Sequence, residues 1–244
     1  VLEFIDGKYF SPDKSEYFAV AKTVAKMHCG FDSLDQFYFD KINLWSGQIK
    51  AYYNKIKKYS AADFKEIERL VENKKVKTAA DLEILENNRR FIEIVEEVNN
   101  SVDKIQSLPK RIIHSDLHPH NLLVKDGKIL AILDFDAVRV SEQARDIAFA
   151  IYRFGRQFFV DKTLKETREE APKLKDLFVE EYRRIRELTE VEANLMQVLI
   201  KDEFLRKLLF VLKSIYLENN YTWSKDLPKF IAAFEEIDYF WPNS

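Results

Sequence analysis

Three polar residues, Asp116, Asn121 and Asp134, have the types and spacing that metal-assisted chemistry on a phosphate requires. Asp116 and Asn121 lie in the segment His-Ser-Asp-Leu-His-Pro-His-Asn, residues 114–121, and Asp134 begins an Asp-Phe-Asp segment. An amide oxygen beside a carboxylate forms a pair of hard oxygen ligands, suited to Mg²⁺ that keeps waters and phosphate oxygens as its other ligands. Asp116 lies in a loop pinned by Pro119, so it can face the same point. A carboxylate beside a metal-bound phosphate can accept a proton from an attacking hydroxyl.

A β-hairpin must bring these residues together. The apolar runs 122–125 and 128–133 flank Asp126-Gly127. Asp-Gly between two apolar runs is a strong hairpin signal, because a type I′ turn needs positive φ at both central residues. The sequence therefore predicts two short antiparallel strands around this turn.

The register of that hairpin predicts where the polar residues meet. With a two-residue turn, Lys125 pairs with Lys128 and Asn121 falls opposite Ile132. Asp134 is then a diagonal neighbour of Asn121. We expect Asn121 and Asp134 to converge at the open end of the hairpin.

Helical periodicity dominates the remainder of the chain, and only residues 110–133 have the pattern of strand and turn. Ser11-Pro12-Asp13 marks the start of a helix that ends near Gly30. Further helices are predicted at about 40–59, 80–107, 146–159, 171–188, 190–199, 202–217 and 227–239. The predicted fold class is α+β, predominantly α.

Composition excludes several classes of protein. The 244 residues are 46% hydrophobic, which is enough to form a hydrophobic core. No apolar run is long enough to span a membrane. Lys+Arg 39 against Asp+Glu 41 gives a net charge of -2, which argues against a nucleic-acid binder. The single cysteine, Cys29, cannot form an internal disulfide, so a cytoplasmic location is expected. No feature of the sequence indicates an oligomeric state.

The loop and hairpin motifs resemble the H-x-D-x-x-x-x-N loop and the Asp-Phe-Gly segment of the protein-kinase-like fold. The H-x-D-L-H-P-x-N variant and the Asp-Phe-Asp segment make the chain similar to the aminoglycoside phosphotransferase and choline kinase family. Residues 145–148, Arg-Asp-Ile-Ala, resemble that family's D-[LI]-A segment, and residues 1–7 resemble the hinge that precedes its helical lobe. His28 at the end of a helix is like the family's L-H.

The resemblance implies a role for each residue of the loop and the metal segment. Asp116 would be the catalytic base, and Asn121 and Asp134 would be the Mg²⁺ ligands. His114 and Asp146 would support the loop through hydrogen bonds.

Four further residues receive roles from the same resemblance. His118 would lie near the transferred phosphate, either touching it or solvated in the loop. Asp136 stands in place of a flexible glycine, so the metal loop is expected to be stiffer, with a second metal or substrate contact as an open alternative. Hinge hydrogen bonds to ATP are expected from the backbone of Glu3 and Ile5.

The resemblance also implies a domain organisation. Residues 1–7 would be a hinge remnant and residues 8–244 the helical catalytic and substrate-binding lobe, a protein-kinase-like C-terminal lobe without its N-terminal lobe. The strands that cover the phosphates, with their lysine and glutamate, would precede residue 1. The chain would then be a segment of a longer kinase, or else a degenerate protein, and activity is expected only with the missing lobe.

The function implied is transfer of the γ-phosphate of ATP to a hydroxyl of a small molecule, such as an aminoglycoside, choline, homoserine or a similar amino alcohol. The alternative is a non-catalytic kinase-like binding or coat protein. A protein kinase is disfavoured, because Ser115 replaces the arginine before the base and no A-P-E segment follows. The acidic candidates for holding a cationic acceptor are Glu142, Glu169, Glu170, Asp202, Glu203 and Asp238.

Overall fold

Helices form most of the fold, as the periodicity predicts. The computed structural model describes residues 4–54 and 59–242. The helices are α1 Lys14–Asp32, α2 Gln36–Asn54, α3 Ala61–Glu72, α4 Ala79–Asn100, α5 Val102–Ser107, α6 Gln143–Gly155, α7 Leu164–Arg183, α8 Glu190–Tyr216 and α9 Leu227–Phe240. The strands are β1 Lys8–Tyr9, β2 Lys110–Ile113, β3 Leu122–Lys125, β4 Lys128–Ile132 and β5 Arg139–Glu142. The fold is therefore mostly helical α+β.

The strands form two small antiparallel sheets. One sheet has the order β1-β3-β4 and contains the predicted hairpin, while the other pairs β2 with β5. Asp126 and Gly127 both have positive φ, at 51° and 69°, as a type I′ turn requires. The hairpin prediction is confirmed.

The predicted register of the hairpin is correct at the turn and wrong at the open end. Lys125 pairs with Lys128, but a register shift inserts one extra residue in β4, so Leu122 rather than Asn121 pairs with Ile132. The Leu133 amide instead donates to the Asn121 carbonyl over 2.9 Å. Asp134 therefore directly follows the residue bonded to Asn121.

Two predicted helices have different bounds in the structure, and local side-chain hydrogen bonds explain both differences. The helix predicted at 171–188 begins earlier, because Thr163 and Glu166 form a capping box. Pro172 lies inside this helix, α7. The long helix predicted over 80–107 is interrupted at Ser101, whose hydroxyl donates to the Glu97 carbonyl and competes with the helical bonding.

The two helices predicted at 190–199 and 202–217 are one continuous helix, α8. The charged residues at the predicted break are paired and compatible with a helix. Asp202 accepts two hydrogen bonds from Arg206 one turn later, at 2.9 and 2.8 Å, and Lys201 donates to Glu97.

The chain divides into two compact units. One is drawn from residues 1–47, 108–197 and 238–244, and the other from residues 48–107 and 198–237. The core of the first unit includes Tyr17 and Phe178, whose ring centroids lie 5.3 Å apart. The loop 114–121 and the hairpin belong entirely to this first unit. In the parts of the chain that the structure describes, no helix combines the length and hydropathy needed to cross a membrane.

Candidate active site

The start of the candidate catalytic loop is fixed by one buried carboxylate. Asp146, in the first turn of α6, accepts the His114 amide at 2.9 Å and the Ser115 amide at 2.8 Å. Ser115 has φ of 70°, a backbone conformation that a non-glycine residue adopts only when its surroundings enforce it. The two bonds to Asp146 supply that enforcement directly before Asp116.

Asp146 is itself held by α1 and α7. His28 Nε2 lies 3.0 Å from the carboxylate, and His28 Nδ1 lies 2.9 Å from the hydroxyl of Tyr182. His28 and Tyr182 are fully buried. The resemblance singled out His28, whereas Tyr182 was missed; its spacing from Phe178 on α7 indicates a core-facing residue and nothing more.

His114 ties the loop to the end of the hairpin. Its buried ring donates from Nε2 to the Leu133 carbonyl at 3.0 Å and accepts the Asp116 amide on Nδ1 at 3.3 Å. The ring also packs on Phe135, with centroids 4.8 Å apart. Because both ring nitrogens are engaged within the protein, His114 is placed to hold the loop.

Asp116, the candidate base, is partly exposed, with 36% of its side chain accessible. His118 Nε2 lies 3.5 Å from its Oδ2. The other ring nitrogen of His118 accepts the His120 amide at 3.2 Å, which directs Nε2 toward Asp116. His118 is thus placed beside the candidate base.

The two candidate metal ligands are joined to the same loop. Asn121 is buried and donates from Nδ2 to the Asp116 carbonyl at 2.9 Å, so Oδ1 is the atom that can ligate a cation. Asp134 is exposed and adopts a left-handed backbone, φ 60° and ψ 74°. A left-handed aspartate costs on the order of 1–3 kcal/mol, and such strain clusters at functional sites.

The donor atoms fit Mg²⁺ rather than a metal held wholly by the protein. Within residues 4–54 and 59–242, no group of three or more His, Cys, Asp or Glu side chains could hold a metal ion. Mg²⁺ is commonly bound by one or two carboxylates with waters and phosphates as the remaining ligands. An amide oxygen and one exposed carboxylate match that requirement. Asp136 is exposed, and its amide lies 3.4 Å from Asp134 Oδ1.

The N-terminal segment runs beside the hairpin. Glu3 lies outside the described residues, whereas Ile5 is described and 42% exposed. Lys8 and Tyr9 form β1 and pair with Val124 and Leu123 of β3. The sequence reasoning missed β1, because two residues are too short for a periodic signal.

Glu142, one of the acidic candidates for the acceptor site, has a structural role. Burial alone would raise the pKa of this carboxyl, but the Arg145 guanidinium at 2.9 Å and hydrogen bonds from Lys110 and Ser141 hold the pKa well below its usual range. Its ion pairs join β2, β5 and α6.

The other acidic candidates also have protein partners. Asp202 and Glu203 are buried. The remaining partners are Lys165 for Glu169, Lys162 for Glu170, Lys207 for Glu203 and Gln197 for Asp238.

The fold is similar to that of several solved structures. The chain is 15% identical to an aminoglycoside phosphotransferase from Alicyclobacillus acidocaldarius, with a TM-score of 0.64, covering 98% of this chain and 68% of that one. It is 16% identical to spectinomycin phosphotransferase in complex with ADP and spectinomycin, with a TM-score of 0.58, covering 98% and 69%.

A third similar structure is the Plasmodium vivax ethanolamine kinase, with 17% identity, a TM-score of 0.52 and coverage of 96% and 62%. The chain thus spans 62–69% of the length of these three proteins. At these identities the likeness shows the fold.

Comparison of the sequence with family models gives a match over residues 1–188, well over half of the 244 residues, to the phosphotransferase enzyme family (APH). The match confirms the family that the loop and hairpin motifs indicate. The chain belongs to the phosphotransferase enzyme family.

Proposed function

We propose that this chain is the catalytic and substrate-binding part of a small-molecule kinase that transfers the γ-phosphate of ATP to a hydroxyl. One observation carries the proposal: hydrogen bonds tie Asn121 both to Asp116 and to the residue before Asp134. Asn121 donates to the Asp116 carbonyl and accepts the amide of Leu133, the residue before Asp134. These bonds support the proposal that the three side chains act at one site, as phosphoryl transfer requires.

Each side chain has a distinct task in this proposal. Asp116 accepts the proton of the acceptor hydroxyl as that oxygen attacks the phosphate. Asn121 Oδ1 and the Asp134 carboxylate would hold Mg²⁺, which would neutralise charge on the phosphate oxygens. His118 Nε2 lies 3.5 Å from Asp116 Oδ2, which supports the expectation from the family resemblance that His118 would lie near the transferred phosphate.

The nucleotide is proposed to lie against the N-terminal segment. The backbone of Glu3 and Ile5 would supply the hinge hydrogen bonds. Support comes from the segment's course beside the hairpin and from Phe4, which is 87% exposed and available to pack on a ligand. The proposed acceptor class is an amino alcohol or another hydroxyl-bearing amine, in keeping with the family resemblance.

The metal assignment is tested by calorimetric titration of the full-length protein with AMP-PNP, with and without Mg²⁺. Wild type should bind the nucleotide more tightly with Mg²⁺, and Asp134→Asn should lose most of that Mg²⁺-dependent gain, because an amide is a weaker ligand than a carboxylate. The matched control is Asp126→Asn, which removes an exposed charge at the turn of the same hairpin and should keep the gain.

Equal Mg²⁺ dependence in wild type and Asp134→Asn would remove Asp134 from the metal site. Absence of nucleotide binding by wild type, with or without Mg²⁺, would favour a non-catalytic binding protein. A thermal-shift screen with ATP, Mg²⁺ and a panel of hydroxyl-bearing amines then identifies the acceptor.

A further inference from the structure

The hydroxyl of Tyr182 has no role in the proposed reaction, yet it lies in a buried row of hydrogen bonds that leads to the catalytic loop. The hydroxyl is 2.9 Å from His28 Nδ1, and His28 Nε2 is 3.0 Å from Asp146 Oδ2. The side chains of His28 and Asp146 have no solvent exposure. The row joins α7, α1 and α6 inside one compact unit.

The chemistry of the three groups sets the direction of each hydrogen bond. A carboxylate only accepts, so His28 Nε2 must donate to Asp146. A neutral imidazole carries one proton, which leaves Nδ1 as an acceptor, and the Tyr182 hydroxyl is placed to donate to it. Burial raises the pKa of Tyr182, so the hydroxyl keeps the proton that it donates.

At the other end of the row, the Asp146 carboxylate holds the backbone that leads into Asp116. The same Oδ2 that faces His28 accepts the His114 amide, and Oδ1 accepts the amide of Ser115, whose φ is 70°. A change in the orientation of this carboxylate would release a strained backbone immediately before the candidate base.

We propose that Tyr182 is a positioning residue for the catalytic loop, because its hydroxyl fixes the Nε2–H tautomer of His28 and thereby the orientation of Asp146. The effect of Tyr182 on catalysis rests on the proposed phosphotransferase function, whereas its effect on His28 and on the loop backbone does not. Without the hydroxyl, the buried Nδ1 loses its donor, and the tautomer with hydrogen on Nδ1 would direct a lone pair at the carboxylate.

Tyr182→Phe isolates the hydroxyl from the packing of the ring. The Tyr182 ring packs edge-on against His28, with centroids 5.8 Å apart, and a phenylalanine ring keeps that contact. Tyr17→Phe is the matched control. Tyr17 is a fully buried tyrosine of the same unit, and its hydroxyl is 3.5 Å from the carbonyl of Ile151, away from the loop.

The structural consequence is measured by nitrogen-15 NMR of histidine side chains and by amide hydrogen exchange. Wild type should show His28 as the neutral Nε2–H form. Tyr182→Phe should lose this single form and raise the exchange rates of the His114 and Ser115 amides by about three- to tenfold, the effect of one lost hydrogen bond. Tyr17→Phe should leave both signals unchanged.

An imidazolium or an Nδ1–H form of His28 in wild type would overturn the proposal, because Tyr182 would then accept rather than donate. Unchanged exchange of the two amides in Tyr182→Phe would overturn it equally. Neither measurement needs an active enzyme, so the outcome is independent of whether the proposed phosphoryl transfer is observed.

The kinetic consequence is a loss in kcat of about three- to tenfold in Tyr182→Phe, with the KM for ATP unchanged. In a His28→Gln background the same substitution should have no further effect, because its influence passes through His28. A full additional loss in that background would contradict the proposal. If His28→Gln fails to fold, the NMR and exchange measurements decide the matter. Absence of turnover in wild type would contradict the proposed function and leave the NMR result to decide the role of Tyr182.

Discussion

Glu142 shows how a single buried carboxylate can serve stability rather than substrate binding. Its ion pairs with Arg145 and Lys110 depress its pKa below the value of an unfolded chain, about 4.3. A group with a depressed folded pKa adds stability above its unfolded pKa, and that stability is lost as the pH falls toward the folded value. The stabilising effect of Glu142 should therefore be present at pH 7 and decline in acid.

Glu142→Gln tests this at the scale of one residue. At pH 7 the substitution should lower the free energy of unfolding by about 1.5–3 kcal/mol, the cost of removing the acceptor of charged hydrogen bonds. The gap from wild type should narrow as the pH falls below about 5, because the unfolded chain of wild type then binds a proton at Glu142 that the folded ion pairs exclude. Urea unfolding at several pH values measures the gap.

The control is Glu169→Gln, which removes an exposed carboxylate 3.9 Å from Lys165 and should change the free energy by less than about 0.5 kcal/mol. A gap for Glu142→Gln that stays constant from pH 7 to pH 3 would contradict the ion-pair assignment. A large loss of substrate affinity in Glu142→Gln, with stability unchanged, would instead indicate that Glu142 binds the acceptor.

Residue types and spacing indicate Asp116, Asn121 and Asp134 as candidate site residues, because the loop motif and the hairpin are both visible in the sequence. The backbone that presents them could not be predicted. Ser115 and Asp134 both have positive φ without being glycine, and at Ser115 this conformation is held by the tertiary hydrogen bond that Asp146 accepts from its amide.

At the scale of elements, the hairpin turn is the feature on which the geometry of the site depends. Gly127 has φ of 69°, and a Cβ there would meet Ser15 Oγ at an ordinary 3.7 Å, so the cost of a side chain is conformational. Gly127→Ala should lower the free energy of unfolding by about 1–2 kcal/mol, the cost of a left-handed non-glycine residue.

Gly30→Ala is the matched control within the same unit. Gly30 lies in α1, and apart from its chain neighbours and the backbone of its own helix, no described residue has an atom within 4 Å of the position that a Cβ would take. Alanine should therefore stabilise the helix by about 0.5–1 kcal/mol. Chemical denaturation measures both variants, and equal effects of the two substitutions would rule out the strained turn.

Elements defined by local signals could be predicted, and elements defined by tertiary pairing could not. Asp126-Gly127 predicts the turn, and Asp13 predicts the start of α1, whose first amides it caps. β1 and β5 are recognisable only from their partners β3 and β2. The extra residue of β4 also leaves no sequence signal, and it moves the Asn121 partner by one position.

At the scale of the whole molecule, the predominantly helical class and the family were predictable, because they follow from periodicity and from one motif. The division into two compact units was not, because it depends on contacts between segments distant in sequence. The whole candidate site, with the residues that support it, falls in the unit that contains the hairpin. The activity of this site is therefore the property that tests the proposed function as a whole.

The most direct test is transfer of the γ-phosphate of ATP to a small hydroxyl-bearing amine by the full-length protein, compared between wild type and Asp116→Asn. Loss of the general base should reduce kcat by about 10²–10⁴-fold, while the dissociation constant for the nucleotide stays within about twofold. Phosphoryl transfer at the wild-type rate by Asp116→Asn would contradict the central claim.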